Sequence, residues 1–117
     1  MIDPGAFQFR GPMNIMPTLD NEGYLVEPLH WTEDVARALA QREKIELTEE
    51  HWDVIRFMRR YYEEHQVAPD ARFVIRHIVE RRGSGARNRL FELFPYGYPG
   101  QACRIAGMKR PRAWSTG

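Results

Sequence analysis

The sequence predicts a mainly α protein: a small helical bundle with an N-terminal β-hairpin and a flexible C-terminal arm. Three observations predict it. Apolar side chains recur at helical spacing from residue 32 to residue 94, a run of turn-forming residues separates two short segments near the N-terminus, and the last residues are basic without periodicity. A chain of 117 residues is long enough for one domain with its own core and too short for two.

The β-hairpin is predicted around the Asp-Asn-Glu-Gly run at 20–23. Asp, Asn and Gly tolerate the positive φ angles that a tight reversal needs. Residues 13–18 and 24–27 would form the two strands, and Pro17 restricts the first strand to an edge because proline has no N–H to donate. Residues 1–12 show no periodicity, and we interpret them as a loose arm or an expression remnant.

Four helices are predicted from capping residues and apolar spacing. Threonine is a favourable residue before a helix, because its hydroxyl accepts a hydrogen bond from a free N–H of the first turn. The second helix has the strongest pattern, since Trp52, Ile55 and Met58 follow Thr48 at spacings of three and four residues. The predicted helices cover 32–42, 48–65, 71–82 and 87–94, followed by an aromatic turn at 95–100 and one or two helical turns over 101–106.

Charge is distributed unevenly along the chain. Residues 1–70 contain 14 acidic and 7 basic side chains, whereas residues 71–117 contain 2 acidic and 10 basic ones. The two halves either neutralise each other within the fold, or the C-terminal half meets a negatively charged partner. The sequence leaves both interpretations open.

Several classes of protein are excluded by what the sequence does not contain. No apolar run approaches the roughly 20 residues of a transmembrane helix, and the first residues have neither the early positive charge nor the apolar stretch of a secretory signal. We therefore expect a cytoplasmic protein without membrane contact. The histidines do not follow metal-ligand spacing and there is a single cysteine, so we predict no metal site, no cofactor and no disulfide framework.

Cys103 is the one soft nucleophile of the sequence, and two interpretations stand beside each other. A helix that starts at Gln101 would place the thiol near a helix N-terminus, which lowers a thiol pKa, and the neighbouring Arg104 would act in the same direction. Alternatively, the small apolar neighbours Ala102 and Ile105 pack the side chain as an inert buried thiol. The residues alone do not choose between them.

Five motifs occur together: EGYL at 22–25, Trp31, LTEEHWDVIRFMRRYYEE at 47–64, APD at 68–70, and LFELFPYG followed by QACRIAGM within 90–108. In combination they resemble the DsrC/TusE/RspA family, sulfur-relay proteins associated with dissimilatory sulfite reductase and with tRNA 2-thiouridine synthesis. The resemblance spans about residues 13–114. It implies a DsrC-like domain over 13–107 and a mobile basic tail over 108–117, the equivalent of an arm that inserts into a partner and carries sulfur as a persulfide.

The resemblance also implies which positions carry sulfur. The family's principal carrier is a cysteine in the arm, and its upstream cysteine corresponds to Cys103, while Trp114 occupies the place of the carrier. An indole holds no transferable sulfur. Cys103 is therefore the candidate persulfide acceptor of this sequence, and we expect its carrier capacity to be impaired.

The arm is the predicted docking element for a sulfurtransferase or a sulfite-reductase-type complex. Tryptophan dominates the energetic centres of protein interfaces, and basic side chains steer a protein toward an acidic surface. Trp114 could equally be a neutral position near the end of the sequence. The candidate partner-binding residues are Arg104, Lys109, Arg110, Arg112 and Trp114.

Two other functions are compatible with parts of the sequence. The helices at 48–65 and 71–82 are joined by a short turn at Pro69, which resembles a helix-turn-helix, and the following arginines could contact nucleic-acid phosphates. The connection has no glycine, however, and no Asn or Gln is evidently aimed at base edges. A stand-alone enzyme is disfavoured because no second group is placed to activate Cys103.

Overall fold

The predicted mainly helical fold is confirmed over residues 16–111, the part of the chain that the computed structural model describes. The α-helices of this part are α1 (Glu33–Arg42), α2 (Glu49–His65), α3 (Ala71–Arg82), α4 (Arg89–Leu93) and α5 (Cys103–Ile105). A 3-10 turn, Pro28–His30, precedes α1, a second one, Ser84–Ala86, lies between α3 and α4, and a π-helical turn, Tyr98–Ala102, leads into α5. No helix of the described residues is both long and apolar enough to cross a membrane.

The helix ends lie where capping chemistry predicts them. The Thr32 hydroxyl accepts a hydrogen bond from the Val35 N–H at 3.2 Å, and the Asp70 carboxylate accepts one from the Arg72 N–H at 2.9 Å. Gly83 ends α3 with a φ of 95°, a conformation that costs glycine little. The helix α4 begins later than predicted because the 3-10 turn over 84–86 precedes it.

The predicted N-terminal reversal is present at 20–23. The Asp20 carboxylate accepts hydrogen bonds from the N–H groups of Glu22 at 2.9 Å and Tyr24 at 3.0 Å, and Leu19 and Leu25 form an antiparallel bridge. This bridge is the only β pairing within residues 16–111, so the hairpin is much shorter there than predicted. Residues 13–15 of its first strand lie outside the described residues.

One apolar core joins all five helices. The helix α2 contributes Val54, Ile55 and Met58, each at most 1% exposed, while Trp52 of the predicted stripe and the neighbouring Tyr62 pack at the margin of the core. Each fully buried side chain of this size stabilises the fold by about 1.5–3 kcal/mol. Other large buried side chains come from the remaining elements: Tyr24, Leu25, Val35, Leu39, Val74, Ile78, Leu90, Leu93, Phe94, Tyr98, Ile105 and Met108.

His51 connects the start of α2 to the end of α4. Its Nδ1 accepts a hydrogen bond from the Thr48 N–H at 3.1 Å, and its Nε2 lies 2.9 Å from the Leu93 carbonyl oxygen. These partners assign the neutral ring with the proton on Nε2, because a proton on Nδ1 would face another N–H. Burial lowers the pKa of His51, against the opposing effects of the hydrogen bond to the Leu93 carbonyl and of the Glu50 carboxylate.

We expect stability to fall as pH decreases below about 6.5, the ordinary pKa of histidine. The folded pKa of His51 is lowered, so the unfolded chain binds more protons, and stability present above the unfolded pKa is lost as pH falls through the folded one. Urea midpoints at pH 7.5 and 5.5 measure this. The variant His51→Gln should respond less to pH, whereas an equal response in both proteins would contradict the assignment.

Candidate functional site

Cys103 lies inside a helical segment that begins earlier than predicted. The π-helical turn starts at Tyr98 rather than Gln101, and the aromatic turn before it ends at Gly97. Cys103 therefore follows five helical residues instead of lying at a helix N-terminus. The expectation that a helix N-terminus lowers the pKa of this thiol is wrong, because the predicted start of the helix was three residues too late.

The Cys103 thiol is part of the core. Its side chain is 0% exposed, and burial raises the pKa of the thiol from 9.0 to about 12. The neighbouring Tyr98 hydroxyl offsets this only in part. That hydroxyl donates its single hydrogen to the Pro69 carbonyl oxygen at 2.6 Å, which fixes the ring between the thiol and the start of α3. The structure thus supports the interpretation of Cys103 as a buried thiol.

Arg104 is engaged within the fold. Its guanidinium lies 3.5 Å from the Glu43 carboxylate at the end of α1 and 5.3 Å from the centre of the Tyr24 ring. Gln101 donates a second hydrogen bond to Glu43 at 3.2 Å. These contacts attach the Cys103 segment to α1 and to the N-terminal reversal. The docking role of Arg104 stays a prediction, and its side chain is only one-third exposed.

Arg59 contributes to the site although the helical period of α2 places it on the polar side of that helix. It is half buried and donates hydrogen bonds to the carbonyl oxygens of Ala106 at 3.1 Å, Pro28 at 3.2 Å and Gly107 at 3.4 Å. Its guanidinium lies 4.6 Å from the centre of the Trp31 ring, and burial lowers the pKa of Arg59. Arg59 therefore caps the carbonyl end of α5.

The tryptophan beneath Arg59 completes this cap. Trp31 Nε1 donates a hydrogen bond of 2.9 Å to the Ile105 carbonyl oxygen. In the sequence, the contact between Trp31 and Arg59 is indicated only by the occurrence of both residues in the family motifs. The helical period of α2 gives no indication of it, because it places Arg59 on the polar side of the helix. Together the two side chains hold the end of the Cys103 segment against α2.

The chain turns sharply where α5 ends. Gly107 has a φ of 77°, its N–H donates to the Arg104 carbonyl oxygen at 3.1 Å, and the Met108 N–H donates to the Cys103 carbonyl oxygen at 3.1 Å. This is the Schellman arrangement of a helix C-terminus. Met108 is 0% exposed and Pro111 is buried, so core packing continues past the predicted boundary at residue 107.

The described part of the arm carries two exposed cations at its base. Lys109 forms an ion pair with Asp20 at 3.3 Å, and Arg110 is exposed. Both border a surface cavity of about 350 Å³ whose apolar walls include Val26 and Val67. Of the other candidate docking residues, Arg112 and Trp114 lie outside the described residues.

The structure does not bring the predicted site residues into one exposed site. Cys103 is enclosed in the core, whereas Lys109 and Arg110 lie on the surface where the arm begins. Within residues 16–111 there is also no group of three His, Cys, Asp or Glu side chains that could hold a metal ion. The start of the arm can present cations to a partner, but the Cys103 thiol is shielded in this conformation.

Comparison with protein families gives a match over most of the chain. The family described as DsrC like protein matches residues 14–113. The sulfurtransferase TusE homolog of Haemophilus influenzae is 42% identical over 94 residues, which are 79% of this chain and 86% of the relative. The sulfurtransferase TusE of Pectobacterium atrosepticum is 39% identical over 94 residues, which are again 79% of this chain and 86% of the relative.

Solved structures match the fold at similar levels of identity. The NMR structure of Allochromatium vinosum DsrC is 44% identical with a TM-score of 0.71, and the match covers 81% of this chain and 87% of that one. The crystal structure of the oxidized gamma-subunit of the dissimilatory sulfite reductase (DsrC) from Archaeoglobus fulgidus is 38% identical with a TM-score of 0.75, over 83% of this chain and 90% of that one.

Proposed function

Because this chain belongs to the DsrC-like family, we propose that it is a cytoplasmic accessory or regulatory protein of sulfur relay with an impaired capacity to carry persulfide. It docks a sulfurtransferase or a sulfite-reductase-type partner through its C-terminal arm. The names of its relatives, sulfurtransferase TusE and the gamma-subunit of dissimilatory sulfite reductase, support these two classes of partner. The burial of Cys103, the single cysteine of the sequence, is the observation that carries the proposal.

Persulfide transfer needs a thiolate that a donor can reach. A thiol attacks the outer sulfur of a donor persulfide as the thiolate, so the sulfur atom moves to the acceptor and the donor leaves as a thiolate that takes up the proton. With a pKa of about 12, roughly one Cys103 in 30,000 is ionised at pH 7.5. A sulfur atom that is 0% exposed also requires the segment to open before attack.

Docking through the arm is supported by charge and exposure where the arm begins. Lys109 and Arg110 are exposed, and Arg112 and Trp114 follow them in the sequence. The apolar side chain of Val26, which borders the same cavity as these two cations, is 52% exposed. Cations beside apolar surface suit an acidic protein face, because charge steers the encounter and apolar burial holds the complex.

The nucleic-acid alternative is not favoured by the charges on α3. Arg81 forms an ion pair with Asp53 at 3.1 Å, and Arg82 forms one with Glu50 at 3.3 Å, so α2 neutralises two of the arginines that would contact phosphates. Arg89 of α4 also pairs with Glu50. The acidic and basic halves of the sequence therefore neutralise each other in part within the fold.

The variant Trp114→Cys tests the proposal by supplying a thiol at the carrier position. Each protein is incubated with a persulfidated sulfurtransferase and weighed intact. We expect Trp114→Cys to gain one sulfur atom nearly stoichiometrically, while the unaltered chain gains less than about a tenth as much in the same time. Ser84→Cys, an exposed thiol elsewhere, is the matched control and should accept sulfur slowly.

Two outcomes would contradict the proposal. Rapid stoichiometric gain by the unaltered chain, abolished in Cys103→Ala, would show that the buried thiol is a competent carrier. Equal gain by Trp114→Cys and Ser84→Cys would show that the arm has no privileged access to the partner. Reversing charge in Lys109→Glu with Arg110→Glu should slow transfer to Trp114→Cys if these cations dock the partner.

A further inference from the structure

A surface groove between α3 and α4 is lined by residues that belong neither to the Cys103 segment nor to the arm. It has a volume of about 510 Å³. Its apolar floor consists of Ile75, Val79 and Phe91, and its cations are Arg72, Arg76 and Arg87. We refer to it as the α3–α4 groove.

The apolar floor belongs to a second face of α3. The core face of this helix consists of Ala71, Val74 and Ile78. Ile75 and Val79 lie one turn apart on another side and are only partly buried, and Phe91 of α4 is 51% exposed. A half-exposed aromatic ring beside two aliphatic side chains is an apolar surface that a partner can cover.

The cations of the groove are less neutralised than those elsewhere on α3 and α4. Among residues 16–111, neither Arg76 nor Arg87 has a carboxylate within 4 Å, and the Arg76 guanidinium instead lies 5.7 Å from the centre of the Phe73 ring. Arg72 pairs with Asp70 at 3.2 Å, while its own side chain is 81% exposed. Among the described residues, no acidic side chain lines the groove. Its potential is therefore positive over an apolar floor.

We propose that the α3–α4 groove is a docking surface for an acidic segment of a partner protein, with carboxylates that meet Arg76 and Arg87 and apolar side chains that cover Phe91. The spacing of Arg72, Ile75, Arg76 and Val79 follows one helix face over two turns, so the matching segment is short and amphipathic. Nucleic acid fits less well, because a phosphate backbone would leave the apolar floor uncovered. This surface is separate from the arm proposed above.

Fluorescence anisotropy with a defined probe tests this surface on the full chain. The probe is a fluorescein-labelled synthetic peptide with Leu side chains at helical spacing on one face and Glu side chains along the edges of that same face, where they can reach Arg76 and Arg87. We expect the double variant Arg76→Glu with Arg87→Glu to weaken binding at least tenfold, and Phe91→Ser to weaken it about fivefold. A peptide of the same composition with scrambled order should bind at least tenfold more weakly.

The control variants repeat each change outside the groove. Arg60→Glu reverses an exposed charge on α2, and Leu29→Ser removes a side chain that is 86% exposed, so both should change binding less than twofold. Trp114→Ala should also leave the affinity unchanged, which distinguishes this surface from the arm. Thermal melts verify that each variant folds.

Three results would overturn the proposal. The first is the absence of saturable binding by the amphipathic peptide. The second is an affinity that Phe91→Ser leaves unchanged, because the apolar floor would then have no role. The third is tighter binding to a 20-base-pair DNA duplex that the double arginine variant abolishes and Phe91→Ser preserves, which would assign the surface to nucleic acid.

Discussion

Replacing Gly107 with alanine is expected to lower the free energy of unfolding by about 3 kcal/mol or more. Gly107 has a φ of 77°, a conformation that strains an alanine. A Cβ atom there would also lie 2.7 Å from Cγ and 2.9 Å from Cβ of Trp31. The indole cannot move away without losing its hydrogen bond to Ile105 and its contact with the Arg59 guanidinium. Backbone strain and collision therefore add.

Urea unfolding of Gly107→Ala beside Gly85→Ala measures this effect. A Cβ at Gly85 would meet nothing within 4 Å, so this matched variant should change the free energy of unfolding by less than about 1 kcal/mol. If both variants lower the free energy of unfolding equally, the close approach of Gly107 to Trp31 is not a feature of the folded protein. A structure of Gly107→Ala with Trp31 displaced would locate where the strain is relieved.

The helices were predictable because their boundaries depend on neighbouring residues. Thr32, Asp70 and Gly83 flank helices in the structure, within one residue of the boundaries predicted at 32, 71 and 82. Capping hydrogen bonds and the left-handed conformation of glycine act within one turn of the chain. The apolar stripe of α2 was equally visible, because one face of a helix repeats every 3.6 residues.

The start of the Cys103 segment was not predictable from its own residues. Pro99 and Gly100 indicate a turn, yet the helical segment begins at Tyr98 and holds Pro99 in its first turn. Proline is tolerated there, because the N–H that it lacks would have no partner in that turn. Tyr98 is fixed by the Pro69 carbonyl from a distant part of the chain, which no local pattern reports.

The contacts of Arg59 were likewise not predictable from its own position in the sequence. Its position in the period of α2 predicts exposure, but its guanidinium reaches three carbonyl oxygens and the face of Trp31. A long arginine side chain can bury its stem and satisfy its donors far from its own helix. Such contacts depend on which segments the fold brings together, so they appear only in the structure.

The alkylation rate of Cys103 is the most direct test of whether this chain keeps its thiol out of reach. Iodoacetamide reacts with thiolates, and a pKa raised from 9.0 to about 12 reduces the reactive fraction about a thousandfold, before burial is considered. We expect alkylation of the folded protein at pH 7.5 to be at least a thousandfold slower than in 6 M guanidinium chloride. A folded-state rate within tenfold of the unfolded rate, with a pH midpoint below about 8.5, would show an accessible thiolate and contradict the account.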